Sequence, residues 1–433
     1  MERFFRLEEN GTTIGREVVG GLTTFMTMAY IIILNPAILE SAGIPRGPST
    51  TATILSAAFG TLVMGLYANR PFAIAPYMGE NAFVAFTVVK VLGYSWQTAI
   101  GAVFISGVLF TLLTLLRVRA WLVRGIPLSL KYSFGIGIGL WLSFIGLGKM
   151  GVVIPGTATP VHIGDLTQGT TLLGLLCFGL MAISLIFKFT GGLLLSILFT
   201  TLIAMLTGWV PPPETWISAP PSLAPIFLKL DIAGALTWGF FSVILTMFMM
   251  DFLDTMGTLI GVSLRAGMLD EEGHLPRIER PMLADSMATV AGALMGTSTT
   301  GTYLESASGV EAGARTGLSA VVVAIMFLIS LFFAPVFTAV PDYAYGPALV
   351  VVGLLMFSPL KEMNFDDYTE FIPAFAVIVL ISFTYNLGIG MTAGFILYPL
   401  FKAVTGRIRE IHSALWILCV LSLLFYLFYP YTP

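Results

Sequence analysis

Six carboxylates lie in strongly apolar stretches of this chain, where an ionised side chain is costly. They are Glu80, Asp251, Asp254, Asp285, Glu305 and Glu311. An ionisable group at the centre of a bilayer costs roughly 2.5–3.5 kcal/mol, so each acid needs a use or a neutral state. No Lys or Arg lies within the same stretches, so ion pairing does not account for all six. Such acids indicate a polar site that accepts hydrogen bonds or takes up protons.

The acids and their neighbours divide into two candidate groups. We expect ligand contact from residues in and beside the acidic segments: Thr27, Glu80, Asn81, Ala82, Phe83, Asp254, Tyr303 and Glu305. We expect proton coupling or support of the site from a second group: Asp251, Asp285, Thr300 and Thr302. Asp251 and Asp254 are three residues apart and share one helical face. The alternative for Asp254 and Glu305 is a structural hydrogen bond to backbone or hydroxyl groups, and Asp251 and Glu311 are expected to face water.

The elements that carry these acids must lie in lipid. Of 433 residues, 57% are hydrophobic and 10% charged, against roughly 25% charged in a soluble domain. The net charge of -3 excludes nucleic-acid binding by a basic surface. Scattered histidines and two cysteines in apolar runs offer neither a metal site nor a disulfide framework. Because no nucleophile with a base is visible either, we expect a membrane protein that is not an enzyme and needs no cofactor.

Runs of about 20 mainly apolar residues, bounded by charges, Pro or Gly, mark the transmembrane spans. Seven lie in the first half, at 17–39, 51–67, 79–89, 98–116, 128–147, 170–187 and 191–209. Seven more follow at 236–262, 281–295, 303–312, 316–339, 346–357, 371–384 and 388–404. A last apolar run at 414–429 is either a further span or an embedded helix.

The two halves repeat one layout. Pro127 and Pro341 precede the fifth span of each half, and the halves close on the Thr-Gly pairs Thr207-Gly208 and Thr405-Gly406. An odd number of spans makes the halves face opposite ways, as in secondary transporters; the alternative is coincidence among Gly- and Leu-rich segments. We predict an all-α polytopic membrane protein with fourteen transmembrane segments in two inverted seven-span repeats. Its predicted divisions are a first repeat at 1–209, an outer linker at 210–235, a second repeat at 236–405 and a C-terminal membrane-associated segment at 406–433.

The basic residues support an N-terminus in the cytoplasm. With that orientation, 17 of the 21 Lys and Arg residues fall on the cytoplasmic side. The four on the outer side are Arg46, Lys90, Lys149 and Lys229. Because cytoplasmic loops are enriched in basic residues, we predict a multi-pass protein of the plasma (inner) membrane with a cytoplasmic N-terminus.

Spans three and ten are too short to cross a bilayer as helices. They occupy corresponding places in the two halves, a pattern that in transporters indicates the binding site. Two prolines precede span three within 70–79, and a Thr-rich run at 296–302 precedes span ten. We predict an extended segment followed by a half-helix in each half, tolerated in the membrane because it lines a cavity. The first N–H groups of both half-helices would offer donors to a ligand.

This combination of groups suits a small planar ligand. Carboxylates accept hydrogen bonds, half-helix N–H groups donate them, and aromatic rings offer flat faces. A purine base carries N–H donors, carbonyl or ring-nitrogen acceptors and a flat ring system. Desolvation favours the protonated form of a carboxyl, which would let one acid carry a proton as the coupling ion.

Three stretches resemble one transporter family. They are 20–30 (GGLTTFMTMAY), 251–259 (DFLDTMGTL) and 296–317 (GTSTTGTYLESASGVEAGARTG). They resemble the nucleobase:cation symporter family, in particular its AzgA-like branch of guanine, hypoxanthine and adenine permeases. The resemblance covers nearly the whole chain. It implies a core domain of spans one to four and eight to eleven, a gate domain of the remaining spans, and proton-coupled uptake by movement of the core against the gate.

The resemblance also implies roles for particular residues. Asp254, before Gly257, matches the family's substrate-binding acid, Glu305 matches the acid of span ten beside Tyr303, and Asp285 matches the supporting acid of span nine. One segment departs from the branch, which commonly has Pro-Gly-Met-Gly-Leu-Asn-Ala where this chain has Pro-Tyr-Met-Gly-Glu-Asn-Ala at 76–82. The added carboxyl of Glu80 either binds an exocyclic amino group, favouring adenine or guanine, or takes up a proton.

We therefore expect a proton-coupled importer of purine nucleobases: hypoxanthine, guanine, adenine or a subset of them. We expect the purine, protons and the lipid bilayer as its partners and no nucleic acid. Whether the protein forms a homodimer is left as an open alternative. One alternative is an anion carrier of the same architecture, against which the six carboxylates argue. Another is a xanthine or uracil permease.

Overall fold

The computed structural model describes residues 2–116, 125–237, 240–270 and 275–429. Within these ranges, nine helices are long and apolar enough to cross a membrane, and three shorter apolar helices accompany them. This confirms a mostly helical, multi-pass membrane protein; the number fourteen stays a prediction. Some predicted features lie outside the described residues: the basic residues Arg117, Arg119 and Arg124, His274, positions 238–239 of span eight, and 430–433 of the C-terminal segment.

The helices of the first half follow the predicted spans. They are α1 (Glu2–Phe5), α2 (Ile14–Met28), α3 (Ile31–Glu40), α4 (Arg46–Val63), α5 (Met78–Ala82), α6 (Trp96–Leu115), α7 (Leu128–Lys149), α8 (Gly169–Ile186) and α9 (Gly192–Leu206). Span one is thus two helices, α2 and α3, interrupted at Ala29 and Tyr30. Two π-helical stretches extend α4 and α5: Met64–Ala68 and Phe83–Val91.

The second half repeats this layout. Its helices are α10 (Ile232–Ala235), α11 (Phe241–Arg265), α12 (Glu279–Met295), α13 (Ser306–Glu311), α14 (Gly317–Ser330), α15 (Ala334–Thr338), α16 (Asp342–Met356), α17 (Tyr368–Thr384), α18 (Leu387–Val404) and α19 (Ser413–Phe428). Short 3₁₀ turns lie at Leu331–Phe333, Ser358–Glu362 and Ile408–Glu410. The last apolar run forms α19, which packs against α18 and α11.

Four short strands interrupt the helical pattern. Before the half-helices, β1 (Ile74–Pro76) pairs antiparallel with β4 (Thr300–Thr302), which confirms the predicted extended segments. A hairpin of β2 (Val153–Pro155) and β3 (Val161–Ile163) lies in a stretch that we predicted only as a loop. The β1–β4 pair joins the two halves because each strand supplies the other's backbone hydrogen bonds.

Polar residues fix the ends of several helices. Ser95 accepts the N–H of Thr98 at 3.1 Å and begins α6. Asp367 accepts the N–H of Thr369 at 3.0 Å and begins α17. α12 ends at Gly296, whose φ of 89° favours glycine. This last turn releases the chain into the extended segment that precedes β4.

Two acids fix helix starts that lie far away in the sequence. Glu17 on α2 is fully buried and accepts the N–H groups of Thr316 (3.1 Å) and Ser319 (3.2 Å), where α14 begins. Asp231, at the start of α10, accepts a hydrogen bond from the Thr98 hydroxyl at 3.3 Å, where α6 begins. These contacts join the first half to the second half and to the linker between them.

The fifth spans of the two halves pack closely through glycine. α7 lies against α16, where a Cβ added to Gly146 would come within 2.6 Å of the Gly346 carbonyl oxygen. A Cβ added to Gly346 would meet the Gly146 carbonyl oxygen at 3.0 Å. Small residues at such a crossing allow two backbones to approach in a membrane protein. α7 also packs against α17, so these helices form one block.

A charged cluster joins the end of α18 to the segments before α17 and α19. The Lys402 side chain is fully buried and forms ion pairs of 2.9–3.5 Å with three acids: Asp367, Glu370 and Glu410. Arg407 pairs with Asp367 at 2.7 Å. The Thr369 hydroxyl and then the Arg407 guanidinium lower the pKa of Asp367 below its ordinary value. Asp367 therefore stays ionised at neutral pH.

Candidate functional site

The candidate site is built where the two extended segments meet. β1 and β4 pair with Ala75 opposite Gly301, and the pairing continues beyond the strands. The Tyr77 N–H donates to the Thr299 carbonyl at 3.0 Å, and the Tyr303 N–H donates to the Ala73 carbonyl at 3.0 Å. Backbone groups that leave a helix inside a membrane need such partners. The two half-helices, α5 and α13, therefore start from one rigid point.

Hydroxyl groups of the surrounding helices hold these segments in place. Thr289 on α12 donates to the Thr300 carbonyl at 2.8 Å and accepts the Thr300 N–H at 3.2 Å. Thr61 on α4 binds both backbone groups of Ile74 in the same way, at 2.9 and 3.1 Å. Thr300 therefore supports the site through its backbone. Threonine side chains on two different helices thus supply hydrogen-bond partners to the backbone of the two strands.

Two parallel tyrosine rings form the aromatic surface of the site. The Tyr77 and Tyr303 rings lie 6.1 Å apart between centroids, with 9° between their planes. The Tyr77 hydroxyl donates to the Thr302 carbonyl at 3.1 Å and lies 3.2 Å from the Thr258 hydroxyl. The Tyr303 hydroxyl donates to the Pro76 carbonyl. Gly301 is required because a Cβ there would overlap the Tyr77 ring.

Two of the predicted acids line the accessible part of the site. Asp254 on α11 and Glu305 before α13 are both half-buried. The Tyr30 hydroxyl, at the break between α2 and α3, donates to one carboxylate oxygen of Glu305. Thr27 lies beside this pair, with its hydroxyl 3.0 Å from the hydroxyl of Ser308. The interrupted first span thus brings its polar groups against the start of the second half-helix.

Three other predicted acids are fully buried: Glu80, Asp251 and Asp285. Asp285 accepts a hydrogen bond from the Thr302 hydroxyl at 3.2 Å, which is the type of contact expected of it. Asn81 accepts a hydrogen bond from Ser298. The expectation that Asp251 faces water is wrong, because α11 turns this residue toward the interior of the protein. Their functions in transport stay predictions.

Other predicted residues lie away from the accessible groups. Ala82 and Phe83 are buried in the main apolar cluster. The aromatic ring that stacks on Tyr303 belongs to Tyr77. Glu311 is exposed, as expected, and pairs with Arg265 at 3.4 Å. At α13, fewer backbone N–H groups are free to donate to a ligand than we expected. The N–H groups of 306–308 already donate to carbonyls of 303–305 in a tight turn.

Sequence reasoning missed several contacts at this site. Tyr30 lies within the motif that carries the family resemblance, but its contact with Glu305 joins residues 275 positions apart. Ser308 and Thr258 gave no distinctive signal among the many hydroxyl residues. Arg315 donates to the Val310 and Ala314 carbonyls at 2.6 Å and closes the end of α13. Only the departure at Tyr77 could have indicated a second aromatic ring.

The arrangement can bind a flat molecule with several N–H groups. Carboxyl oxygens of Asp254 and Glu305 accept hydrogen bonds, and so can the hydroxyl oxygens of Thr27 and Ser308, whose protons are donated to backbone carbonyls. The Tyr303 face offers a stacking surface. These groups lie on elements of both halves, which is where transporters with inverted repeats bind their substrates.

Sequence comparison finds permeases that match nearly the whole chain. A family model described as a permease family matches residues 15–397. The chain is 48% identical to a putative permease of Methanocaldococcus jannaschii, covering 100% of this chain and 98% of that protein. It is 42% identical to the adenine permease AdeP of Escherichia coli (98% and 95% covered). It is 40% identical to the guanine/hypoxanthine permease PbuG of Bacillus subtilis (99% and 100% covered).

A solved structure shows the same fold at low sequence identity. The transmembrane domain of a cyanobacterium bicarbonate transporter, BicA, matches with a TM-score of 0.65 and 16% identity. The match covers 88% of this chain and 97% of that domain. At this identity the likeness shows the fold alone.

Proposed function

The chain belongs to the nucleobase:cation symporter family, and on that premise we propose that it imports purine nucleobases together with protons. Membership makes it a membrane permease and not an enzyme. The substrate class follows from the relatives, whose names include adenine and guanine/hypoxanthine permeases. The placement of Asp254 and Glu305, both in the second half and both half-buried near the tyrosine pair, is the observation that carries the proposal.

The chemistry of the site supports a purine. Adenine, guanine and hypoxanthine each carry ring N–H groups that a carboxylate accepts, and flat faces that stack on Tyr303. Tyr30 holds one oxygen of Glu305, so the other oxygen stays available for a ligand. Leaving such buried acceptors unpaired is costly, so a ligand without N–H groups is disfavoured.

The packing supports movement of a core against a gate. α2, α4, α6, α12 and α14 pack on one another and carry the site, whereas α7 packs on α16 and α17. We assign the first group, with α11 and the two half-helices, to the core domain and the second, with α8, α9 and α18, to the gate domain. Alternating access then moves the site across the membrane as one rigid unit.

The competing function is an anion carrier, because the bicarbonate transporter BicA has the same fold. The site residues argue against it. Asp254, Glu305 and the buried Glu80 repel an anion, and the single base of α11, Arg265, lies at its last residue and pairs with Glu311. An excess of bicarbonate or sulfate should therefore leave purine uptake unchanged.

The test is uptake of radiolabelled adenine, guanine and hypoxanthine by cells that lack their own purine transport. We expect Asp254→Asn and Glu305→Gln to abolish uptake while the protein still reaches the membrane. Glu311→Gln is the matched control, because this acid is exposed and its surface ion pair contributes little. Uptake that survives both site substitutions would refute the assignment.

A further inference from the structure

Glu80 differs from the other acids that we predicted to contact the ligand. It lies at the start of α5 and is fully buried, whereas Asp254 and Glu305 are half-buried. Neither carboxyl oxygen of Glu80 makes a hydrogen bond to any described residue. A group enclosed in this way does not touch a ligand in the accessible part of the site. Its effect must therefore pass through its neighbours.

The groups that act on Glu80 are two acids and a tyrosine. Asp254 and Asp251 approach it from α11, and Tyr303 approaches it from the end of β4. α5 packs against α11, and the Glu80 and Asp254 carboxyls interact electrostatically across this contact. The other helices that pack against α5 and its π-helical extension have their ionisable residues near their ends. These residues are Glu40, Lys131, Tyr132 and Lys149, and Lys90 lies near the end of the extension itself.

Two adjacent carboxyls in such a place cannot both ionise easily. Burial disfavours each charge, and a like charge beside it disfavours the second one further. The pair therefore holds one proton as the site closes over the purine. Asp254 is the more exposed member of the pair, whereas Glu80 is fully buried.

We propose that Glu80 stores the coupling proton, an inference that rests on the proposed function. Asp254 takes a proton from the outer solution and passes it to Glu80, so that Asp254 becomes a carboxylate as Glu80 becomes a neutral acid. The Asp254 carboxylate then accepts the N–H groups of the purine. When the site opens inward, the proton returns through Asp254 to water, and one proton has entered with each base.

The enclosed position of Glu80 supports proton storage over recognition of an amino group. Because Glu80 is fully buried, an exocyclic amino group in the accessible part of the site does not reach it. The carboxyl of Glu80 therefore changes what Asp254 can do rather than which ligand groups are contacted.

The test separates exchange from accumulation in proteoliposomes. Exchange of radiolabelled purine for unlabelled purine needs no net proton movement, whereas accumulation driven by an alkaline interior does, at up to about tenfold per pH unit. We expect Glu80→Gln, which mimics the protonated acid, to keep exchange within about threefold of the parent protein and to lose accumulation. Glu311→Gln should keep both. If the parent protein exchanges no purine, the proposed function fails instead.

The outcomes are decisive even if Glu80→Gln is inactive. Glu80→Asp keeps a titratable group, and restored accumulation in this variant would support proton storage. Accumulation by Glu80→Gln equal to that of the parent protein would overturn the proposal. So would loss of both exchange and accumulation in Glu80→Gln and Glu80→Asp alike.

Discussion

The contact between Tyr30 and Glu305 gives the sharpest prediction for a single side chain. Tyr30→Phe removes only the hydroxyl that donates to the Glu305 carboxylate, and Tyr30 is 2% exposed, so no room for a well-placed water is gained. A hydrogen bond to a charged group contributes about 1.5–3 kcal/mol. Because Glu305 is half-buried, we take the lower end, which corresponds to about a tenfold change in affinity.

Initial rates of radiolabelled purine uptake measure this effect. We expect the KM of Tyr30→Phe to rise about tenfold, while its thermal unfolding in detergent shows a folded protein. Tyr343→Phe is the matched control, because the Tyr343 hydroxyl is buried without a hydrogen-bond partner in the described part of the chain. A KM for Tyr30→Phe within about twofold of the Tyr343→Phe value would show that Tyr30 does not prepare Glu305 for the ligand.

Three further substitutions test other parts of the structure. Gly301→Ala places a methyl group against the Tyr77 ring and should reduce uptake at least tenfold. Gly179→Ala is its control, because the methyl group there meets open space. Equal uptake by the two variants would contradict the prediction. Glu17→Ala should lower thermal stability by about 2–3 kcal/mol without changing KM, because buried N–H groups lose their acceptor. Asp367→Asn should lower stability by about 1 kcal/mol at pH 7. Since folding lowers the pKa of Asp367, that deficit should be constant above about pH 4 and shrink as pH falls from there toward the lowered folded-state pKa; a deficit that does not shrink over this range would contradict the assignment of its cause.

The extended segments could be predicted because their residues are poor helix formers in an otherwise helical chain. Prolines before span three and Thr residues before span ten indicated breaks, and the structure has β1 and β4 there. Their pairing with each other was not predicted. It depends on the two halves meeting, yet the need for backbone partners inside a membrane could have suggested it.

The acids could be found from the sequence, but their depth could not. Hydrophobic surroundings identify a costly carboxyl, whereas the direction in which it points depends on how its helix packs. Asp251 and Asp254 lie on one helical face, yet Asp251 is fully buried and Asp254 half-buried. For the same reason the enclosed position of Glu80 became clear only from the structure.

Long-range contacts were the least predictable part of the site. Tyr30 meets Glu305 only because the first span breaks at Ala29 and Tyr30, within a run of apolar residues that gives no sign of a break. Glu17 offers a similar case, since its partners at the start of α14 lie about 300 positions away. A single sequence contains no signal for contacts of this range.

Uptake by the purified protein in proteoliposomes tests the central claim most directly. Radiolabelled adenine, guanine and hypoxanthine are supplied outside, with and without an alkaline interior, and Asp254→Asn serves as the inactive control. We predict that at least one of the three bases accumulates, that the pH gradient increases its accumulation, and that the control removes it. Equal purine levels in vesicles with the parent protein, with the control and without protein would contradict the account.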